Sequence, residues 1–125
     1  SAKPMIVGAL GLAFKANTSD TRNSPALAVI EGLTAHGVTV QAYDPAVTQA
    51  DLPHIQGLIV TTTASEAAQG ADCLLVLTEW SEFQMLDWAE IGKRMRSKCI
   101  LDARNLLSPE QARAAGFTYQ SLGQA

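Results

Sequence analysis

Gly11-Leu12-Ala13-Phe14-Lys15-Ala16-Asn17-Thr18-Ser19-Asp20-Thr21-Arg22-Asn23-Ser24-Pro25 joins an apolar run, Met5-Ile6-Val7, to a strong helix start. Ser24 has the side chain of an N-cap and Pro25 suits the first helical position. Ala26, Val29, Ile30 and Leu33 then recur at helical spacing, and Gly37 closes the segment. The unit is therefore strand, long loop, helix. A parallel α/β sheet presents such a loop at the carboxyl edge of its strands, where ligands of these sheets bind. The loop carries Lys15 and Arg22 among small and polar residues. That composition suits a phosphorylated ligand, since Lys offers a compact mobile charge and Arg a planar fork for phosphate oxygens.

Outward from this loop the pattern repeats. Strands are expected over 3–10, 38–43, 58–62, 73–77, 99–101 and 117–119, each short and apolar or alternating. Between them lie a brief helix over 66–69 with Ser65 as its cap, a longer one near 87–96, and a third opened by Ser108-Pro109 and closed by Gly116. Cys73-Leu74-Leu75-Val76-Leu77 is continuously apolar, as a strand buried on both faces reads. This alternation predicts a Rossmann-like, doubly wound, mainly parallel α/β sheet of five or six strands with helices on both faces, in a single domain over 1–125. Such a topology places Lys15, Thr78-Glu79-Trp80 and Arg104 on one rim.

Composition narrows the function. The chain is 47% hydrophobic with a formal net charge of −3, so it has no basic field for nucleic acid or an anionic membrane surface. No stretch is apolar for long enough to span a bilayer, and the expected location is cytoplasmic. Lys93, Arg94, Arg96 and Lys98 read as cations complementing a helix C-terminus. Cys73 and Cys99 lack metal-ligand spacing and read as buried free thiols. Gly8 and Gly11 form GxxG, which is not a dinucleotide fingerprint. Asp44, after the second strand, could grip a ribose or merely cap a turn. Phe14 could stack on a flat ring or pack into the core. Arg104 could meet a phosphate or pair with Asp102 or Asp20. No catalytic triad, paired-carboxylate site or metal cluster is evident, so the residues describe binding without a nucleophile or base.

At these residues the chain resembles a known family. Gly-Leu-Ala-Phe-Lys at 11–15, Thr-Ser-Asp-Thr-Arg at 18–22, Ser24-Pro25, Ala42-Tyr43-Asp44-Pro45, Thr78-Glu79-Trp80 with Phe83, Asp102-Ala103-Arg104-Asn105 and Gly116-Phe117-Thr118-Tyr119 occur in the order found in the C-terminal, UDP-binding domain of the UDP-glucose/GDP-mannose dehydrogenases. The full enzymes of this family oxidise the 6-hydroxyl of a nucleotide sugar to a carboxylate and reduce two NAD⁺. They carry an N-terminal NAD-binding domain and a central dimerising helix, neither of which lies in this chain. The resemblance implies that Phe14, Lys15 and Arg104 contact the UDP-sugar and that Arg22 reaches toward NAD. It implies a homo-oligomeric whole protein and no catalytic residue here, because the family's cysteine lies upstream. Two departures stand out: Thr18-Ser19-Asp20 replaces Thr-Asp-Asp, and Ala103 replaces a glycine. The sugar stays open among glucose, N-acetylmannosamine and mannose. A free-standing nucleotide-binding module is the reading from a different class.

Overall fold

The computed structural model describes residues 4–122. Six strands form one sheet: β1 (Ile6–Leu10), β2 (Thr39–Tyr43), β3 (Leu58–Val60), β4 (Cys73–Val76), β5 (Cys99–Asp102) and β6 (Thr118–Ser121). Every pairing is parallel and the spatial order is β3-β2-β1-β4-β5-β6. That is the doubly wound order, with its switch between β1 and β4. Helices α1 (Pro25–Ala35), α2 (Ala64–Ala68), α3 (Trp88–Arg94) and α4 (Pro109–Ala114) fill four of the five connections, and a short 3-10 turn, Gln49–Asp51, lies between β2 and β3. Lys3, expected in the first strand, lies outside the described residues.

Period-two alternation splits the core between the two faces. Leu10, Leu74, Val76 and Ile100 pack with Ala67, Ile91 and Ala112 of the last three helices, and Phe83, Trp88 and Phe117 complete that layer. Ala9, Val40 and Ala42 pack with Ile30 of α1 on the opposite face. Gly8 is required where α2 crosses β1. A Cβ at that position would lie 2.6 Å from the Ala67 carbonyl oxygen and 2.5 Å from Leu74 Cδ1. The small side chains of Ala64, Ala67, Ala68 and Ala71 complete this close approach.

Three local expectations are corrected. The second helix starts two residues early: Thr63, not Ser65, is its cap, and Thr63 Oγ1 accepts the Glu66 N–H at 3.1 Å. Gln41 Nε2 donates to the Ala67 and Gln69 carbonyls at 3.0 Å, closing the helix end against β2. Val29 is 42% exposed although it falls in the apolar spacing of α1. Ala26 and Ile30, four residues apart, point inward, and Val29 sits at the solvent edge of their stripe. Cys73 and Cys99 are half-buried rather than buried. Of the four cations, Lys93 and Arg94 lie in the last turn of α3, and two are paired nearby, Arg94 with Glu90 at 3.5 Å and Arg96 with Asp72 at 2.5 Å.

Candidate functional site at the carboxyl edge of the sheet

The loop after β1 is anchored at one end and presented at the other. Asp44, at the end of β2, is 4% exposed. Its Oδ2 accepts the N–H groups of Leu12 at 2.8 Å and Ala13 at 2.9 Å, and the Trp80 indole N–H at 3.2 Å. Its Oδ1 accepts the Ala46 N–H at 2.8 Å. The turn-cap reading of Asp44 is thus part of the answer, and the larger part is a knot joining the loops after β1, β2 and β4. Thr78 Oγ1 adds a bond to the Ala13 carbonyl at 3.0 Å, and Ser24 Oγ donates to the Leu12 carbonyl at 2.8 Å while it caps α1. Leu12 and Ala13 are buried as a result, and Phe14 and Lys15 emerge from the knot exposed. Phe14 is 47% exposed, which settles it outside the core.

The outer turn of the loop is held by its own residues. The Phe14 N–H donates to the Asp20 carbonyl at 2.6 Å, and Asp20 Oδ1 accepts the Arg22 N–H at 2.9 Å. The Arg22 guanidinium returns to Asp20 through two bonds of 3.0 Å. Hydrogen bonding from the Arg22 side chain holds the Asp20 carboxyl at about 2. Asn17 and Asn23 take positive φ, a region that Asn tolerates better than most residues. Arg22 therefore stands on the loop's far arm, fully exposed and pre-oriented by its neighbour.

Arg104 reaches the same rim from β5. A second buried carboxylate organises its loop: Asp102 accepts the Arg104 N–H at 3.0 Å on Oδ1, and Leu106 N–H, Leu107 N–H and the Tyr119 hydroxyl at 2.8–2.9 Å on Oδ2. Of Arg104, the Asp102 carboxylate meets only the backbone N–H, and no bond joins it to the guanidinium. The guanidinium turns to Glu79, with Nε donating to Oε2 at 2.6 Å and Nη2 donating to the same oxygen. Neither Asp102 nor Asp20, the ion-pair partners left open by the sequence, is the one used. Ala103 is absent from the left-handed backbone conformations, so alanine fits where the resembling family has glycine.

Glu79 closes the constellation. Its Oε1 accepts the Ala16 N–H at 3.2 Å, directly after Lys15, while its other oxygen holds Arg104. Burial pushes this carboxyl up, but the Ala16 N–H and the Arg104 guanidinium outweigh it, and its pKa falls below the ordinary value. Lys15, Glu79 and Arg104 thus occupy loops after β1, β4 and β5, which are neighbours at the switch point. Glu79 is the residue that sequence reasoning placed on the rim without a role. Its signal lies in strand order, since β4 stands between the strands that carry the two cations.

Asp44 does not offer a ribose the free carboxylate that a Rossmann dinucleotide site uses. Both of its oxygens are engaged, by the backbone N–H groups of Leu12, Ala13 and Ala46 and by the Trp80 indole. Among the described residues no group of three His, Cys, Asp or Glu side chains could hold a metal ion. No helix among them is long and apolar enough to cross a membrane.

Comparison with known proteins converges on one family. The model of the UDP-glucose/GDP-mannose dehydrogenase family, UDP binding domain, matches residues 8–109. UDP-glucose 6-dehydrogenase of Rhizobium meliloti is 38% identical over 118 residues, which is 94% of this chain and 27% of that protein. The UDP-glucose 6-dehydrogenase of Bacillus subtilis is 37% identical over 99% of this chain and 27% of its own length. Among solved structures, a UDP-D-ManNAc dehydrogenase from Pyrococcus horikoshii aligns with a TM-score of 0.76 and 34% identity, over 97% of this chain and 26% of that one. A UDP-glucose dehydrogenase from Pyrobaculum islandicum aligns at 0.74 and 27% identity, over 98% and 26%. The chain spans about a quarter of the length of the curated relatives it matches. With the match covering most of its length and its doubly wound sheet in agreement, the chain belongs to the UDP-glucose/GDP-mannose dehydrogenase family and corresponds to its UDP binding domain.

Proposed function

We propose that this chain is the C-terminal, UDP-sugar-binding domain of a nucleotide-sugar dehydrogenase, and that the nucleotide sugar lies on the rim formed by the loops after β1, β4 and β5. The observation that carries this reading is the junction at Glu79, which brings the Lys15 loop and Arg104 to one place. Phe14 offers a half-exposed ring beside that place. In this reading Phe14 and Lys15 contact the UDP-sugar, with Lys15 on the phosphates or the sugar, and Arg104 completes the substrate contact. Each charge-assisted bond to a phosphate oxygen contributes roughly 1.5–3 kcal/mol. Arg22, exposed on the far arm, extends toward NAD held by a separate N-terminal domain.

The whole protein would be a cytoplasmic, homo-oligomeric UDP-glucose 6-dehydrogenase that converts UDP-glucose to UDP-glucuronate with two NAD⁺ reduced. The names of the curated relatives support glucose as the sugar. The alignment with a UDP-D-ManNAc dehydrogenase favours N-acetylmannosamine as the second reading. The nucleophile and the hydride acceptor belong to the rest of the enzyme, so this chain alone binds without turnover.

Titration with UDP by calorimetry tests the proposal. Lys15→Ala is expected to weaken binding by more than about tenfold, or ~1.4 kcal/mol. Equal affinity in the variant would remove the nucleotide from this loop. Comparing UDP with GDP in the same titration separates the two base classes.

A further inference from the structure

Cys73 and Cys99 are the opening residues of β4 and β5, which run parallel as neighbours. They stand one step before the registered pair Leu74 and Ile100, so they face each other directly. Their sulfur atoms are 3.1 Å apart, inside the sum of two sulfur van der Waals radii. Adjacent strands lie about 4.8 Å apart, within the Cα separation of roughly 4.4–6.8 Å that a disulfide spans. Leu74 and Ile100 point into the core layer beneath α2, α3 and α4, so the two thiols project from the opposite face. On that face both are half-buried, and their neighbours on β6, Thr118 and Gln120, are exposed. A small reagent can therefore reach them.

We propose that Cys73 and Cys99 are a reversible modification site, a cross-strand dithiol that a small-molecule disulfide oxidises to an intramolecular disulfide. The thiolate of one cysteine attacks a sulfur of the oxidant and expels one small thiolate, leaving a mixed disulfide. The second cysteine loses its proton, attacks the protein sulfur of that mixed disulfide and expels the second small thiolate. The protein gives up two electrons and two protons, and the oxidant leaves as two thiols. The site lies at the amino ends of the same two strands whose carboxyl ends lead to Glu79 and Arg104, so the bond would tie those strands together away from the nucleotide rim. Burial, followed by the neighbouring Cys99, pushes the Cys73 thiol up to about 12. Low thiolate content slows the first attack, and the ring closure owes its efficiency to proximity.

Oxidised glutathione is the probe, with intact and peptide mass spectrometry as the readout. The expected product has a mass lower by two hydrogens, a peptide cross-link between the Cys73 and Cys99 segments, and full reversal by dithiothreitol. Its urea midpoint is expected to rise relative to the reduced chain, because the bond closes a loop in the unfolded state. Cys73→Ser and Cys99→Ser each retain one thiol and are expected to stop at a single glutathione adduct or a free thiol. Stable glutathione adducts on both cysteines of the unaltered chain would overturn the proposal. Two thiols that still react with iodoacetamide after exposure to the oxidant and unfolding would do the same.

Discussion

The Arg104 guanidinium is held by Glu79, two strands' loops meeting through one carboxylate oxygen at 2.6 Å from Nε. The pair is a third or more exposed on both sides, so its direct contribution to stability is small. Its importance is positional. In the proposed site, a diphosphate on Lys15 and Arg104 would take Arg104 from Glu79 and also meet the carboxylate's negative charge.

Glu79→Gln is therefore expected to strengthen UDP binding about fivefold, roughly 1 kcal/mol. The amide oxygen can still accept the Ala16 N–H, so the loop keeps its shape, while the competing charge is gone. Arg104→Ala is expected to weaken binding by about tenfold to a hundredfold, matching the loss of charge-assisted bonds. Calorimetric titration of both variants decides the matter. Weaker binding by Glu79→Gln would mean that the carboxylate is needed to aim Arg104, not that it competes for it.

Asp44→Ala should be among the most damaging substitutions in the chain. It strips the acceptor from the Leu12, Ala13 and Ala46 N–H groups and from the Trp80 indole. Unmet buried donors cost about 1–3 kcal/mol each, and partial rehydration brings the expected loss to about 3–5 kcal/mol. Asp44→Asn keeps one oxygen for three of these donors and should lose roughly half as much. Urea denaturation measures both. Equal midpoints for the alanine variant and the unaltered chain would dismiss the knot.

Gly11 links the same knot to β4. Its φ is +116°, and an added Cβ would lie 2.3 Å from Thr78 Oγ1 and 2.5 Å from the Thr78 nitrogen. Gly11→Ala combines backbone strain with overpacking and should cost about 2–5 kcal/mol. Gly37→Ala is the control, because its φ is +84° but nothing lies within 4 Å of the new methyl group. That variant should lose only about 1 kcal/mol. Comparable losses in the two would show that strain, not the Thr78 contact, governs Gly11.

Local chemistry made much of this legible in the sequence. Ser24-Pro25 and Ser108-Pro109 announce the starts of α1 and α4, and both serines accept the expected N–H. Alternation reveals β2, and the apolar run reveals β4. Where two hydroxyls stand close together, as Thr63 and Ser65 do, spacing cannot choose between them, and the Glu66 N–H goes to Thr63. The anchor role of Asp44, the Glu79–Arg104 pair and the facing thiols share a different cause. Each joins residues about 25–36 positions apart in sequence, and strand order decides which of them meet. The common rim of Lys15, Glu79 and Arg104 was within reach because doubly wound topology alone implies it; the partner of each charge was not.

Alkaline pH should weaken the fold through Tyr119. Its ring is 7% exposed, and its hydroxyl donates to Asp102 Oδ2 at 2.8 Å and to the Leu107 carbonyl at 3.3 Å. Burial, then the bond to the Asp102 carboxylate, pushes its pKa up to about 12, against about 10 in an unfolded chain. A raised folded pKa means that the stabilisation is complete below pH ~10 and falls away as pH rises through 10 toward 12, because the unfolded chain ionises first. A shift of this size corresponds to about 2 kcal/mol lost across that window. Tyr43 and Cys73 are also raised to about 12 and add to the decline, so the unaltered chain alone cannot isolate one ring. Tyr119→Phe can. It should be less stable at neutral pH by about 1 kcal/mol and show a shallower fall between pH 10 and 12 in urea denaturation. An unchanged slope in the variant would assign the alkaline decline to Tyr43 and Cys73 and leave the Asp102 knot without a titrating member.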